Sequence, residues 1–183
     1  GNAINSADAD GTVAIGYTAA DALTDGRYNV AIGSNALGVA TQLDGNTAVG
    51  YNAGGVLSGS AGGAWNTHVG YNAGYGQTAV TYNTSIGAFA GYANGGNTTV
   101  SVGYEAGYSN LGHDNIFVGK SAGRNAAYVY SATVVGLYAG RYLGGPSTGA
   151  TLMGNHAGLY ASGSYNTFMG YNAGKGSVTS APY

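Results

Sequence analysis

Cysteine is absent from this 183-residue chain, so neither a disulfide framework nor a thiolate metal site can form. Charge is almost as scarce. Only 7% of residues are Asp, Glu, Lys or Arg, which argues against intrinsic disorder, because disorder is usually carried by high net charge and few aromatics. The five basic residues are scattered and make no stripe for nucleic acid. No apolar run approaches the roughly 18 residues of a membrane-spanning helix, and no basic segment followed by an apolar one marks a signal peptide. Proline occurs twice.

Glycine and tyrosine take the place of what is missing, with 36 and 17 residues. The glycines do not fall at every third position, so a collagen helix is excluded. They fall instead inside a recurring phrase, read at Asn46–Gly54 as NTAVGYNAG, at Asn66–Gly74 as NTHVGYNAG, at Asn83–Gly91 as NTSIGAFAG and at Asn166–Gly174 as NTFMGYNAG. A marker glycine follows the apolar residue in all ten copies: Gly16, Gly33, Gly50, Gly70, Gly87, Gly103, Gly119, Gly136, Gly154 and Gly170. The steps between them run from 16 to 20 residues. Self-similarity at so short a period is the mark of a solenoid, in which each repeat is one coil that covers its neighbour.

Read by column, the residue before each marker glycine is always apolar: Ile15, Ile32, Val49, Val69, Ile86, Val102, Val118, Val135, Met153 and Met169. The residue three before it is always β-branched, from Val13, Val30 and Thr47 to Thr133, Thr151 and Thr167. Two positions apart on an extended strand, both columns share one face, and that face is expected to be the core. The intervening column, small at Ala14, Ala31 and Ala48 and bulky at Phe117, Val134, Leu152 and Phe168, is expected to point the other way. The marker glycine is expected at a corner, with a positive φ or a neighbouring backbone too close for a side chain. Three residues later stands alanine in every copy, from Ala19 to Ala173, which implies a narrow interior. Asparagine opens six copies, at Asn29, Asn46, Asn66, Asn83, Asn115 and Asn166, and stacked amides at strand spacing are expected to form a ladder. These columns define an all-β chain with a degenerate coil at 1–10, a ten-coil β-roll at 11–175 and a C-terminal extension at 176–183. The degenerate opening (NAINSADA) suggests a fragment or a processed product.

The pattern [Asn/Ser]-[Thr/Ser/Val]-x-[Val/Ile]-Gly-x-x-Ala-x-Gly resembles the YadA-type head repeats of trimeric autotransporter adhesins and is similar to the NTAVGYNAG-type repeats of phage tail fibres. The resemblance covers residues 11–175. It implies a left-handed parallel β-roll (β-solenoid), a homotrimer, an extracellular location as a cell-surface or virion tail fibre, and attachment to surfaces. One departure is plain: adhesin heads run near 14 residues per coil, against 16 to 20 here, so details of receptor contact do not transfer.

Catalytic and metal constellations are thin. Asp8 with Asp10, and Asp21 with Asp25, have the composition of glycosidase carboxylate pairs but lie in loop-like sequence near one end, where solvated loop charge is the better reading. Glu105 is the only glutamate, and His68, His113 and His156 share no metal-ligand spacing. His68 and His156 stand in variable columns, for which stacked or surface positions are expected. The glycine-rich turns hold no aspartate for a calcium roll, and Gly59–Gly63 (GSAGG) lacks the lysine of a phosphate loop. Asn83 and Asn97 open glycosylation-type triplets, read as coincidence. No cofactor and no catalytic residue is expected.

The aromatic side chains are the better candidates. Tyrosine follows the marker glycine at Tyr17, Tyr51, Tyr71, Tyr104 and Tyr171, and a second group stands at Tyr75, Tyr92 and Tyr108. Such rows can cover the roll, fill a subunit interface or present a sugar platform. Trp65, Tyr75, Tyr92 and Tyr108 are the candidate receptor contacts. The leading reading is a structural and adhesive fibre segment that partners itself and a cell-surface glycan or protein receptor, without nucleic acid or membrane insertion. The alternative is a subunit of an extracellular filament stacked head to tail, because residues 1–44 hold five aspartates against Arg27 while residues 115–183 hold Lys120, Arg124, Arg141 and Lys175 and no acid. An ice-binding solenoid using the threonine column and a glycan-cleaving tailspike are weaker readings, the former because the threonines are expected to face inward.

Overall fold

The computed structural model describes residues 11–39, 41–57, 64–77 and 80–176. Each repeat contributes one short strand: β1 (Val13–Ile15), β2 (Val30–Ile32), β3 (Thr47–Val49), β4 (Thr67–Val69), β5 (Thr84–Ile86), β6 (Val100–Val102) and β7 (Ile116–Val118). Two-residue strands β8 (Val129–Tyr130) and β10 (Ser147–Thr148) alternate with β9 (Thr133–Val135), β11 (Thr151–Met153) and β12 (Thr167–Met169). All but β8 and β10 form one ten-stranded parallel sheet in chain order. β8 and β10 pair with each other, also in parallel. The protein is an all-β parallel β-solenoid of about nine turns, with no helix among the described residues.

The sequence columns are the registers of the sheet. Thr47 pairs with Thr67, Ala48 with His68 and Val49 with Val69, and the next strand continues each row with Thr84, Ser85 and Ile86. β-branched residues on every strand suit this pleated surface.

Which face is inside reverses the expectation. The middle residue of each strand points inward, and Ala31, Ala48, His68, Ser101, Phe117, Val134 and Leu152 are fully buried. Ile15, Ile32, Val49, Val69, Ile86, Val102, Val118, Val135, Met153 and Met169 lie on the outward face with the β-branched column, half-buried or exposed rather than in the core. The threonines therefore face outward as well. The physical reason is width. The alanine three after the marker is buried in nine coils, from Ala19 to Ala157, and a roll that admits one methyl group there accepts a single row of inward side chains from the sheet.

The glycine four after the marker makes room for that row. A Cβ at Gly91 would collide with Ser85, at Gly123 with Phe117, at Gly158 with Leu152 and at Gly174 with Phe168. In the first two coils the bulk is exchanged: Ala20 and Leu37 take this position, and the inward residues shrink to Ala14 and Ala31. The interior is apolar at both ends and polar between them. One apolar cluster runs from Ala19 to Val80 and the other from Ala106 to Ala161, with buried His68, Gln77, Asn83, Ser85, Asn94 and Ser101 across the middle.

The marker glycine meets the first condition expected of it in every coil and the second in every coil but that of Gly170. Its φ is +124° to +140° in all ten coils, a region that is essentially glycine's alone. At Gly50 an added Cβ would also stand 2.5 Å from the carbonyl oxygen of Gly70. Each coil turns at two further left-handed positions that side chains do occupy. One is two residues after the marker (Asn35, Asn52, Asn72, Glu105, His156) and the other five before it (Tyr28, Trp65, Tyr82, Tyr165).

Asparagine closes the stack as a ladder. The backbone N–H of Asn46 donates to Asn29 Oδ1, that of Asn66 to Asn46 Oδ1 and that of Asn83 to Asn66 Oδ1, each at 2.9 Å. Where the column changes residue the pattern persists: Thr99 N donates to Asn83 Oδ1 at 2.8 Å and Ala132 N to Asn115 Oδ1 at 2.9 Å. Each amide thus satisfies a buried donor of the following coil, which would otherwise be costly to leave unpaired.

Candidate receptor-contact surface

Beyond the corner glycine the chain runs along a second wall, and the residue five after the marker lies on its outer side in most coils, Leu159 being buried. Along the roll this column reads Asp21, Gly38, Gly55, Tyr75, Tyr92, Tyr108, Arg124, Arg141, Leu159 and Lys175. Parallel stacking of the coils brings like positions to ring-stacking distance. Tyr75 and Tyr92 lie with centroids 5.4 Å apart and planes 22° from parallel, Tyr92 and Tyr108 at 4.8 Å and 7°. The row ends on a cation: the Arg124 guanidinium sits 5.1 Å from the Tyr108 centroid. Arg124 Nε is 2.7 Å from Glu105 Oε2, which also accepts from Ser121 Oγ at 3.1 Å. Three of the four residues singled out in the sequence are thus one continuous ladder.

Trp65 is not part of it. It stands at the other left-handed corner, 56% exposed, with its indole over the Cα of Gly45. The tyrosines directly after the marker form a second row, in which Tyr51 and Tyr71 stack at 5.3 Å, and Phe89 joins it to the ladder by packing on Tyr71 and Tyr92. Lys120 joins that row, its Nζ 5.9 Å from the Tyr104 ring and 5.8 Å from that of Tyr138. Arg141 caps Tyr138 and Tyr142, at 5.0 and 5.1 Å. The aromatic rows were readable from the repeat. The cations that end them were not assigned to them, although Arg124 and Arg141 occupy the tyrosine column one and two coils further on.

At its other end the ladder meets two glycines. A notch of about 300 Å³ opens there, lined by Asn35, Gly38, Asn52, Gly55, Val56 and Tyr75 among others.

His68 corrects the surface or stacked position expected for it. It is wholly buried, neither ring nitrogen has a hydrogen-bond partner, and burial lowers its pKa to about 4. His156 is half-buried beside Tyr138, with centroids 5.3 Å apart, and His113 is exposed next to Tyr130. Among the described residues no group of three or more His, Asp or Glu could hold a metal ion, and no helix is long and apolar enough to cross a membrane. Asp21 and Asp25 are exposed. Asp8, Asp10, Gly59–Gly63 and the extension beyond residue 176 lie outside the described residues. No family model matches this chain, and no curated protein or solved structure shows significant similarity to it.

Proposed function

We propose that this chain is a segment of an extracellular fibre that assembles as a homotrimer and attaches to a cell surface. The observation that carries the reading is the outward face of the ten-stranded sheet. There the β-branched and apolar columns lie side by side, with Val13 45%, Ile15 58%, Ile86 40%, Ile116 41%, Met153 39% and Met169 66% exposed. A contiguous apolar face of this kind on one chain is the usual mark of an interaction surface. A roll whose interior holds one narrow row gains its missing apolar burial by packing such faces together. The YadA-type resemblance supplies the expected number of chains, and the aromatic rows on the second wall remain available for contacts with a receptor.

Head-to-tail stacking is the less favoured reading, because the basic residues near the C-terminal end are largely engaged along the wall, Arg124 with Glu105 and Lys120 and Arg141 over tyrosine rings. The outward threonines remove the earlier objection to an ice-binding face. Val100 and Ile116 interrupt their row, however, and the adjoining column is wholly Val, Ile or Met, so an apolar contact is the better use of that face. Light scattering on the native protein tests the reading. A discrete particle of three times 18.0 kDa is expected, and a stable monomer or an indefinite polymer would overturn it.

A further inference from the structure

We propose that the notch at the end of the tyrosine ladder is a binding site for a neutral pyranose ring, and that it is where the fibre of the preceding section takes hold of a glycan. The inference rests on that reading for its biological setting and on the notch itself for its chemistry.

Aromatic rings in a stack shield one another's faces. Tyr92 is covered on both sides, by Tyr75 and Tyr108, and Tyr108 by Tyr92 and the Arg124 guanidinium. Tyr75 is covered by Tyr92 on one side only, and among the described residues no ring or cation lies on the other. That side faces the two coils in which the column is glycine. A Cβ added at Gly55 would stand 3.2 Å from Tyr75 Cδ2, so the ring leans over the Gly55 backbone where a side chain would otherwise stand, and the rest of it borders the notch.

Backbone conformation does not demand glycine at either place. Neither Gly38 nor Gly55 has a positive φ, and the same column carries Asp, Tyr, Arg, Leu and Lys elsewhere. Gly38 and Gly55 are thus required by neither a corner nor a positive φ, and Gly55 lies against the Tyr75 ring. What they provide is the absence of a side chain beside the ring, in the notch that Gly38, Gly55 and Tyr75 line together.

Polar groups of one kind border that space. Asn35 Oδ1 accepts from Thr18 Oγ1, which leaves the Asn35 amide nitrogen as a donor. The side-chain amide of Asn52, one coil on, has no hydrogen-bond partner among the described residues. Both residues are held at positive φ, +58° and +52°, which fixes the direction of their side chains relative to the ring. Val56 adds an apolar wall. A ring face for aliphatic C–H groups with neighbouring carboxamides for hydroxyls is the complement of a pyranose, which has one apolar face and an equatorial rim of donors and acceptors. No charged side chain lines the notch, which favours a neutral sugar over a sialic or uronic acid. Its volume of about 300 Å³ suits one residue of a chain, at the small end of small-molecule sites. It lies on the second wall, apart from the sheet face assigned to association.

The test is saturation-transfer NMR on the full chain with the methyl glycosides of glucose, galactose, mannose and N-acetylglucosamine as probes, and with N-acetylneuraminic acid as the anionic comparison. At least one neutral glycoside should receive saturation on its ring C–H protons. Tyr75→Ala should weaken that binding about tenfold or more. Gly55→Tyr, which continues the ladder into the notch, should abolish it. Asn52→Asp, which keeps a residue tolerant of the positive φ and spares the stack, should weaken it by removing the amide donor, and Tyr171→Ala, at the far end of the roll, should leave it unaltered. Binding of no neutral glycoside, binding of the anionic sugar alone, or equal binding by wild type, Tyr75→Ala and Gly55→Tyr would overturn the proposal. Light scattering of the same samples separates the two readings: a trimer that binds no sugar overturns the notch alone, whereas a monomer that binds sugar overturns the fibre and leaves the notch standing.

Discussion

His68 shows how little the interior of this roll resembles an ordinary core. It replaces the alanine of the preceding coil and the serine of the following one in the inward row, and its imidazole fills the space above the Cα of Gly74. Both ring nitrogens and the hydroxyls of Ser85 and Ser101 lack hydrogen-bond partners, so the middle of the molecule carries polar groups that are buried without compensation. Burial lowers the pKa of His68 to about 4 from 6.5. The unfolded chain therefore takes up a proton before the folded one, and the unfolded state binds more protons throughout that interval. Stability is full above pH 6.5 and is lost as the pH falls towards 4, by roughly 3 kcal/mol in total. Urea midpoints of the wild type should fall across this window. Those of His68→Ser, which repeats the residue of the next coil, should fall much less. Equal slopes for the two proteins would refute a wholly buried neutral imidazole.

A coil is held to the next by close backbone approach, and its glycines divide into those that are strained by φ and those that are also crowded. Gly103 has φ +128°, and a Cβ there would lie 2.7 Å from Gly119 O. Gly170 has the same type of φ, +124°, but nothing within 4 Å, because among the described residues no strand follows β12. Gly103→Ala should therefore cost roughly 2–4 kcal/mol, and Gly170→Ala the conformational part alone, roughly 1–2 kcal/mol. Equal losses by chemical denaturation would show that coil-to-coil contact contributes nothing at the corner. These corners, the strands before them and the asparagine ladder were legible in the sequence because every one recurs at a fixed offset. The direction of the strands was not. Both faces carry apolar residues, and the rule that the more apolar face is inside fails where the interior admits only one row. The informative signal was an exchange of size between columns: Leu37 with Ala31 in one coil, Gly123 with Phe117 in another. The polar residues of the inward row, His68, Ser85 and Ser101, hid that exchange behind a surface-like composition.

The whole molecule has a broad apolar face that the described residues leave uncovered, and the strongest test of assembly lies there. Val102 sits half-buried in the middle of the sheet, with Ile86 and Val118 beside it in the same outward row. In a monomer, lysine at this position would reach water along its flexible stem and cost the fold little. In an association through the face the same ammonium would be desolvated without a partner, at a cost of several kcal/mol per interface. If the proposed trimer forms through this face, Val102→Lys should reduce its mass from three times 18.0 kDa to 18.0 kDa, while far-ultraviolet circular dichroism stays that of a β-roll. Tyr104→Lys, two residues on and beyond the corner, should keep the larger mass. Salt gives an independent reading, because at 1 M the screening length is about 3 Å. Contact between apolar faces persists under those conditions, whereas attachment through opposite charges at the two ends dissolves. A large mass that survives Val102→Lys but falls away in high salt would transfer the assembly from the face of the sheet to the ends of the roll.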